Sequence, residues 1–221
     1  MNFIIGLVDD EDSQLQRIRR TIKTNAPKDV LYEFKNYELA GTAESLTNYV
    51  FEEVIRDIES GCLSLLIIDY KIMIEVTKVE GTDIYQKIQK AVPQFPVIML
   101  TDVIDDCVNH QFIDPDKVYK KSEFFKLEGD YSKEKTTNIF RNMERYSDIR
   151  SNLENRLHML KTRLVDEKGS QELYDELVQT EHELDEYKPL EETQMEKALD
   201  SSKVKEIIEL LAKTEIMLEG E

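Results

Sequence analysis

Leu63-Ser64-Leu65-Leu66-Ile67-Ile68-Asp69 is a short apolar run that stops on a carboxylate. It is too short for a core helix, and its apolar residues are consecutive rather than alternate. That pattern predicts a strand covered on both faces. Two runs of the same kind flank it in the chain. Phe3-Ile4-Ile5-Gly6-Leu7-Val8 stops at Asp9 and Asp10, and Pro96-Val97-Ile98-Met99-Leu100 ends at Thr101. Helical spacing fills the gaps: Leu15, Ile18 and Ile22 in 13–22, then Leu46, Val50, Val54, Ile55 and Ile58 in 43–58 before Gly61, then 83–91 before Pro93. Weaker strands are expected over 30–39 and 117–121. Strands alternating with helices, the best of them apolar throughout, predict an α/β fold with a doubly wound parallel sheet.

The chain has 221 residues, 40% of them hydrophobic, yet no apolar run approaches the roughly 18 residues that span a bilayer. No membrane insertion is expected. The apolar stretch of residues 1–8 has no basic segment before it and does not read as a signal peptide, so a cytoplasmic location is expected. Cys62 and Cys107 are not in CxxC spacing, which argues against a disulfide framework or a structural zinc site. Both are expected to be buried small hydrophobes. A net charge of −17 repels a phosphate backbone and no basic run overrides it, so no nucleic acid partner is expected. Five of the seven glycines and four of the five prolines fall in the first 130 residues. The chain therefore divides into an amino-terminal domain over 1–128 and an all-α extension of long helices.

In a doubly wound sheet the ligand crevice lies at the carboxyl ends of the strands. Asp9, Asp10, Asp69, Thr101 and either Lys120 or Lys121 are placed there. Carboxylates clustered without histidine or thiolate suit a hard cation such as Mg2+, and a lysine opposite them suits an incoming phosphoryl group.

These residues resemble the receiver domains of two-component response regulators. The resemblance covers about the first 128 residues and rests on Leu7-Val8-Asp9-Asp10-Glu11, Leu66-Ile67-Ile68-Asp69, Gly81-Thr82-Asp83, Pro96-Val97-Ile98-Met99-Leu100-Thr101 and Tyr119-Lys120-Lys121-Ser122. It implies a flavodoxin-like five-stranded sheet. It further implies that Asp69 is the phosphoacceptor, that Asp9 and Asp10 hold Mg2+ with Asp69 and the backbone carbonyl of Lys71, that Thr101 is the switch hydroxyl, and that Lys121 (runner-up Lys120) pairs with the phosphoryl group. The departures are specific. Ile74 stands near the position of the family's proline, Gly81 arrives about four residues late, and Ser122 replaces the proline that commonly follows the lysine. The aromatic switch position falls on Val118, with Tyr119 beside it.

Farther on, Ile139, Met143, Tyr146, Arg150, Leu153, Leu157, Leu160 and Leu164 step by threes and fours, a heptad seam interrupted by one arginine. A long helix or coiled-coil stalk is expected over 129–168, and two further helices over 169–221 forming a hairpin or bundle. The seam requires either an intrachain partner or a homodimer through the stalk. His158 and His182 sit in fragments faintly like phosphotransfer motifs, but Thr162 stands where that motif has glycine, and both read better as solvated helix-face residues.

The function these expectations describe is a phosphoacceptor receiver. A sensor histidine kinase or phosphotransfer protein would supply the phosphoryl group, and a helical output would contact an unknown downstream protein. Its only chemistry would be uptake from a phosphodonor and self-dephosphorylation. A degenerate receiver serving as a phosphorylation-independent scaffold is the alternative. An aspartate-based phosphatase is a weaker rival, because Lys71 stands where such enzymes carry a second acid.

Overall fold

β1 (Asn2–Val8), β2 (Leu31–Asn36), β3 (Leu65–Asp69), β6 (Val97–Thr101) and β7 (Val118–Lys120) form one parallel sheet in the order β2-β1-β3-β6-β7. Counting those five strands alone, this is the 2-1-3-4-5 order of flavodoxin-like doubly wound folds. The computed structural model describes residues 2–39, 43–74, 77–166 and 171–189. The second of the two helices expected over 169–221 lies outside them.

The consecutive apolar residues of β3 are explained by cover on both faces. Leu66 and Ile68 point into one core with Leu46, Val50, Val54 and Ile58 of α2 (Ala43–Glu59) and Ile84 and Ile88 of α3 (Gly81–Ala91). Leu65 and Ile67 point into the other with Leu15, Ile18 and Ile22 of α1 (Asp12–Asn25). Ile139, Phe140 and Met143 join that second core from α6 (Asp130–Asp166).

The stretch after Asp69 that delays Gly81 is an antiparallel hairpin. β4 (Lys71–Ile74) pairs with β5 (Thr77–Glu80), and the chain enters α3 directly from Glu80. Ile72 and Val79 anchor the hairpin's inner face in the core, which leaves Lys71, Met73, Lys78 and Glu80 on the other face. A short α4 (Ile104–Val108) and one 3-10 turn (Pro115–Lys117) separate β6 from the last strand, and a short α5 (Lys121–Phe124) follows it.

At 37 residues, α6 is one continuous helix about 55 Å long. Beyond the sheet its seam stays within the chain. Tyr146 packs edge-on to Phe95 with ring centroids 5.4 Å apart, and Leu153 and Leu160 are buried beside α7 (Gln171–Asp185). Arg150, the polar interruption, ends against α2. Its guanidinium donates to the Ile58 carbonyl at 2.6 Å and the Glu59 carbonyl at 3.0 Å, and its Nε reaches Glu154 at 3.1 Å. A cation on the last carbonyls of a helix satisfies groups that have no partner within the helix and complements the dipole. Gly61, at φ 72°, turns the chain away from that helix end. Past α7 the chain returns to the sheet, where Gln94 N–H donates to the Glu186 carbonyl at 2.9 Å and Tyr146 Oη donates to the Tyr187 carbonyl. No helix among the described residues is long and apolar enough to cross a membrane.

Of the two cysteines, Cys107 is buried as expected, but Cys62 is exposed. It sits in the turn after α2, ahead of the first strand residue of β3, where no element covers it.

Candidate functional site

Three strands deliver the carboxylates and the lysine to one end of the sheet. β1 ends at Val8 and β3 at Asp69, and the two are adjacent and in register, Val8 beside Ile68. This brings Asp9, Asp10 and Asp69 together with one carboxylate oxygen from each within 4.8 Å of the others. Lys121 enters from β7, its Nζ 2.9 Å from Asp69 Oδ1 and 3.3 Å from Asp9 Oδ2. Asp9 is further fixed by the Glu11 N–H, which donates to Oδ1 at 2.9 Å. Lys120, the other lysine of the pair, is exposed and opposite Thr101 in the ladder.

The electrostatics follow from two buried or half-buried acids, Asp9 and Asp69, sharing one ammonium with the exposed Asp10 beside them. Burial pushes the Asp9 carboxyl up to about 6, and neither Lys121 nor the Glu11 N–H offsets it, while the Asp69 charge adds to the rise. Burial also raises Asp69 above the usual carboxylate range against the pull of Lys121. For Lys121, burial alone would lower the pKa, but Asp69 and Asp9 together hold it above the ordinary lysine value. One ammonium therefore leaves this site short of positive charge. An oxygen-only donor set with surplus negative charge fits a hard divalent cation such as Mg2+, with Asp9, Asp10 and Asp69 as the groups that would hold it.

Lys71, the residue whose backbone carbonyl is a candidate fourth ligand, turns its side chain elsewhere. Its ammonium lies 3.7 Å from Asp106 Oδ2 and over the Tyr70 ring, while its N–H serves the Asp69 carboxylate. Thr101 is buried, and its Oγ1 accepts the Val103 N–H at 3.0 Å. Val118 and Tyr119 are both buried, on opposite faces of the sheet, so neither presents an aromatic ring to solvent beside Thr101. His158 and His182 are exposed on α6 and α7.

Two further residues support the site, Gly81 from the sequence motif and Asp102, which the sequence reading did not single out. Gly81 N–H donates to the Tyr70 carbonyl at 2.8 Å, closing the hairpin onto the strand end. A Cβ on Gly81 would stand 2.1 Å from the Asp69 carbonyl oxygen, so only glycine fits there. The delayed glycine is thus delayed only along the chain, because the hairpin carries it back to Asp69. Asp102 is the second. Its Oδ1 accepts the Ser122 N–H at 2.8 Å, which holds the start of α5 and so the backbone of Lys121. Ser122 in place of proline supplies that N–H. The sequence signal was the Thr101-Asp102 doublet at a strand end, a capping residue type next to a site residue.

No protein-family profile matches the sequence, and no curated protein is significantly similar to it. Among solved structures the chain is similar to the RcsB response regulator of Salmonella typhimurium, studied for conformational dynamism in that protein's DNA interaction. The identity is 14% and the TM-score 0.41, over 83% of this chain and 92% of that one. The chain has the flavodoxin-like fold on its own strand order.

Proposed function

We propose that this chain is a phosphoryl receiver in which Asp69 accepts a phosphoryl group with the help of a divalent cation, and that its output is protein contact. The observation that carries the reading is the constellation of Asp9, Asp10 and Asp69 within 4.8 Å, with Lys121 2.9 Å from Asp69, at the carboxyl end of a parallel sheet.

In the transfer, an ionised Asp69 oxygen attacks phosphorus. The bond from phosphorus to the donor's imidazole nitrogen breaks, its electron pair returns to that nitrogen, and the imidazole takes up a proton from solvent. Bound Mg2+ would supply positive charge to the phosphoryl oxygens and keep Asp69 ionised despite burial. Lys121 offers its ammonium to the arriving group, releasing its hold on the Asp69 carboxylate as the acyl phosphate forms. Thr101, whose oxygen is already an acceptor, keeps its hydroxyl proton for a phosphoryl oxygen. The added charge changes which loop conformations are favoured, those after β6 first among them.

The partners this implies are a histidine kinase or phosphotransfer protein upstream and a protein target downstream. The heptad seam from Ile139 to Leu160 is largely buried within the chain, which favours α6 as a strut between the sheet and α7 over a dimeric coil. The test is incubation with a small acyl phosphate and Mg2+. Intact mass should rise by one phosphoryl group, the adduct should be labile to hydroxylamine, and both should vanish with EDTA.

A further inference from the structure

We propose that the cleft at the amino-terminal end of the sheet, between Lys117 and Arg145, binds a phosphate-type anion. The cleft encloses about 240 Å³ and is walled by Pro96 ahead of β6, Lys117 ahead of β7, Asn142, Arg145 and Ile149 on α6, and Tyr187 beyond α7. The five residues of β6, roughly 16 Å of strand, separate it from the Asp69 end. The site is therefore distinct from the carboxylate cluster and does not depend on the function assigned to it.

Lys117 is half-buried, and its ammonium donates to the neutral Gln89 Oε1 at 3.0 Å. Among the described residues it has no carboxylate within ion-pair distance. Burial lowers its pKa from the ordinary lysine value, and Asp114 offsets only part of this. Even a half-buried cation without a counter-ion carries a desolvation cost that a bound anion would offset. Arg145, exposed at the mouth, also lacks an acidic partner among the described residues. The acids nearest in the fold do not fill the gap. Glu186 is held by Gln94 Nε2 at 3.2 Å and does not line the cleft, and Asp114 acts on Lys117 only from a distance.

The chemistry of the lining selects the ligand. A guanidinium fork matches two oxygens of a phosphate, an ammonium adds a point charge, and the Asn142 amide adds a donor. The volume lies below the range of ordinary drug-sized sites, so it suits inorganic phosphate or the phosphate of a very small ester. Because Tyr187 forms one wall, a bound anion would also fasten the end of α7 to the sheet.

Calorimetric titration of the full chain with inorganic phosphate in EDTA, at constant ionic strength, tests this. Saturable one-to-one binding is expected, weakened at least tenfold by Lys117→Gln and by Arg145→Gln and unchanged by Asp69→Asn. Arg145 is exposed, so that variant should keep the native melting temperature. Glycerol 3-phosphate in a parallel titration separates the sources, since tighter binding than phosphate identifies a small phosphate ester and equal binding identifies the free ion. Dissociation constants above about 10 mM, equal affinity in both cation variants, or loss of binding in Asp69→Asn would each overturn the proposal.

Discussion

Lys121 Nζ stands 2.9 Å from Asp69 Oδ1 and 3.3 Å from Asp9 Oδ2, so a single ammonium serves two carboxylates that a divalent cation would also claim. Lysine and metal therefore compete for charge while cooperating on a phosphoryl group. Replacing Lys121 with methionine should tighten Mg2+ binding by about tenfold, since a like charge a few ångströms away is removed. The same change should slow phosphoryl uptake at least as much. Mg2+ titration and uptake kinetics on the one variant check both. Weaker Mg2+ binding in Lys121→Met would contradict the competition.

Asp9 makes stability depend on pH in a direction opposite to the usual carboxylate. Its folded pKa of about 6 lies above the unfolded 3.8, so the folded state holds a proton that the unfolded chain releases. The metal-free protein should lose stability as pH rises from about 4 to about 6, by on the order of 2–3 kcal/mol for this group. Asp9→Asn should remove that slope and raise the melting temperature at pH 7, while abolishing Mg2+ binding. Adding Mg2+ to the wild type should flatten the same slope. Denaturant melts across the pH range provide the measurement.

Gly81→Ala should destabilise the fold by at least about 2 kcal/mol, because the new Cβ meets backbone rather than a movable side chain. The displaced atom is the carbonyl of Asp69, so Mg2+ affinity should fall with stability. Gly61→Ala, where only the positive φ is at issue, should cost about 1 kcal/mol and leave Mg2+ binding unchanged. Chemical denaturation and Mg2+ titration of the pair separate site damage from turn strain.

Ser122→Pro should remove the N–H that Asp102 accepts and loosen Lys121, whereas Ser122→Ala keeps it. Uptake of a phosphoryl group should drop several-fold in the proline variant and stay within about twofold in the alanine variant, as expected for one hydrogen bond of about 1 kcal/mol.

Arg150→Met keeps the volume of the seam but leaves the Glu59 carbonyl without the guanidinium and the Ile58 carbonyl with the Gly61 N–H alone. About 2 kcal/mol should be lost, since bonds to a charged donor are strong and the Glu59 carbonyl loses the one it accepts from Arg150. Hydrogen exchange should show the protection of α2's last turn falling first. Loss confined to α7 would place the role of Arg150 elsewhere.

The parallel sheet was legible because Leu65 to Ile68 and Val97 to Leu100 are apolar on every position, a pattern that only double cover explains. Asp9, Asp10 and Asp69 were legible because each directly follows such a strand. The hairpin was hidden because Lys71 to Glu80 mixes β-branched residues with charges, and its buried anchors Ile72 and Val79 stand seven residues apart with no alternation around them to mark a strand. The heptad seam was legible as a stripe, but its partner was not. Period alone says that Leu153 and Leu160 must be covered, while Arg150 reveals what covers its stretch only through the two carbonyls at the end of α2. Cys62 was misplaced for a related reason, since burial depends on the turn at Gly61 and not on residue type. The Lys117 cleft left no mark in the sequence because its walls come from four separate elements.

The most direct measurement on Asp69 is borohydride reduction after treatment with a small acyl phosphate and Mg2+, followed by peptide mapping. An acyl phosphate on aspartate is reduced to homoserine, so homoserine is expected at position 69 and at no other acid, lost when EDTA replaces Mg2+. Unmodified Asp69 after that treatment would leave the fold as a scaffold, and homoserine at another carboxylate would move the phosphoacceptor away from Asp69.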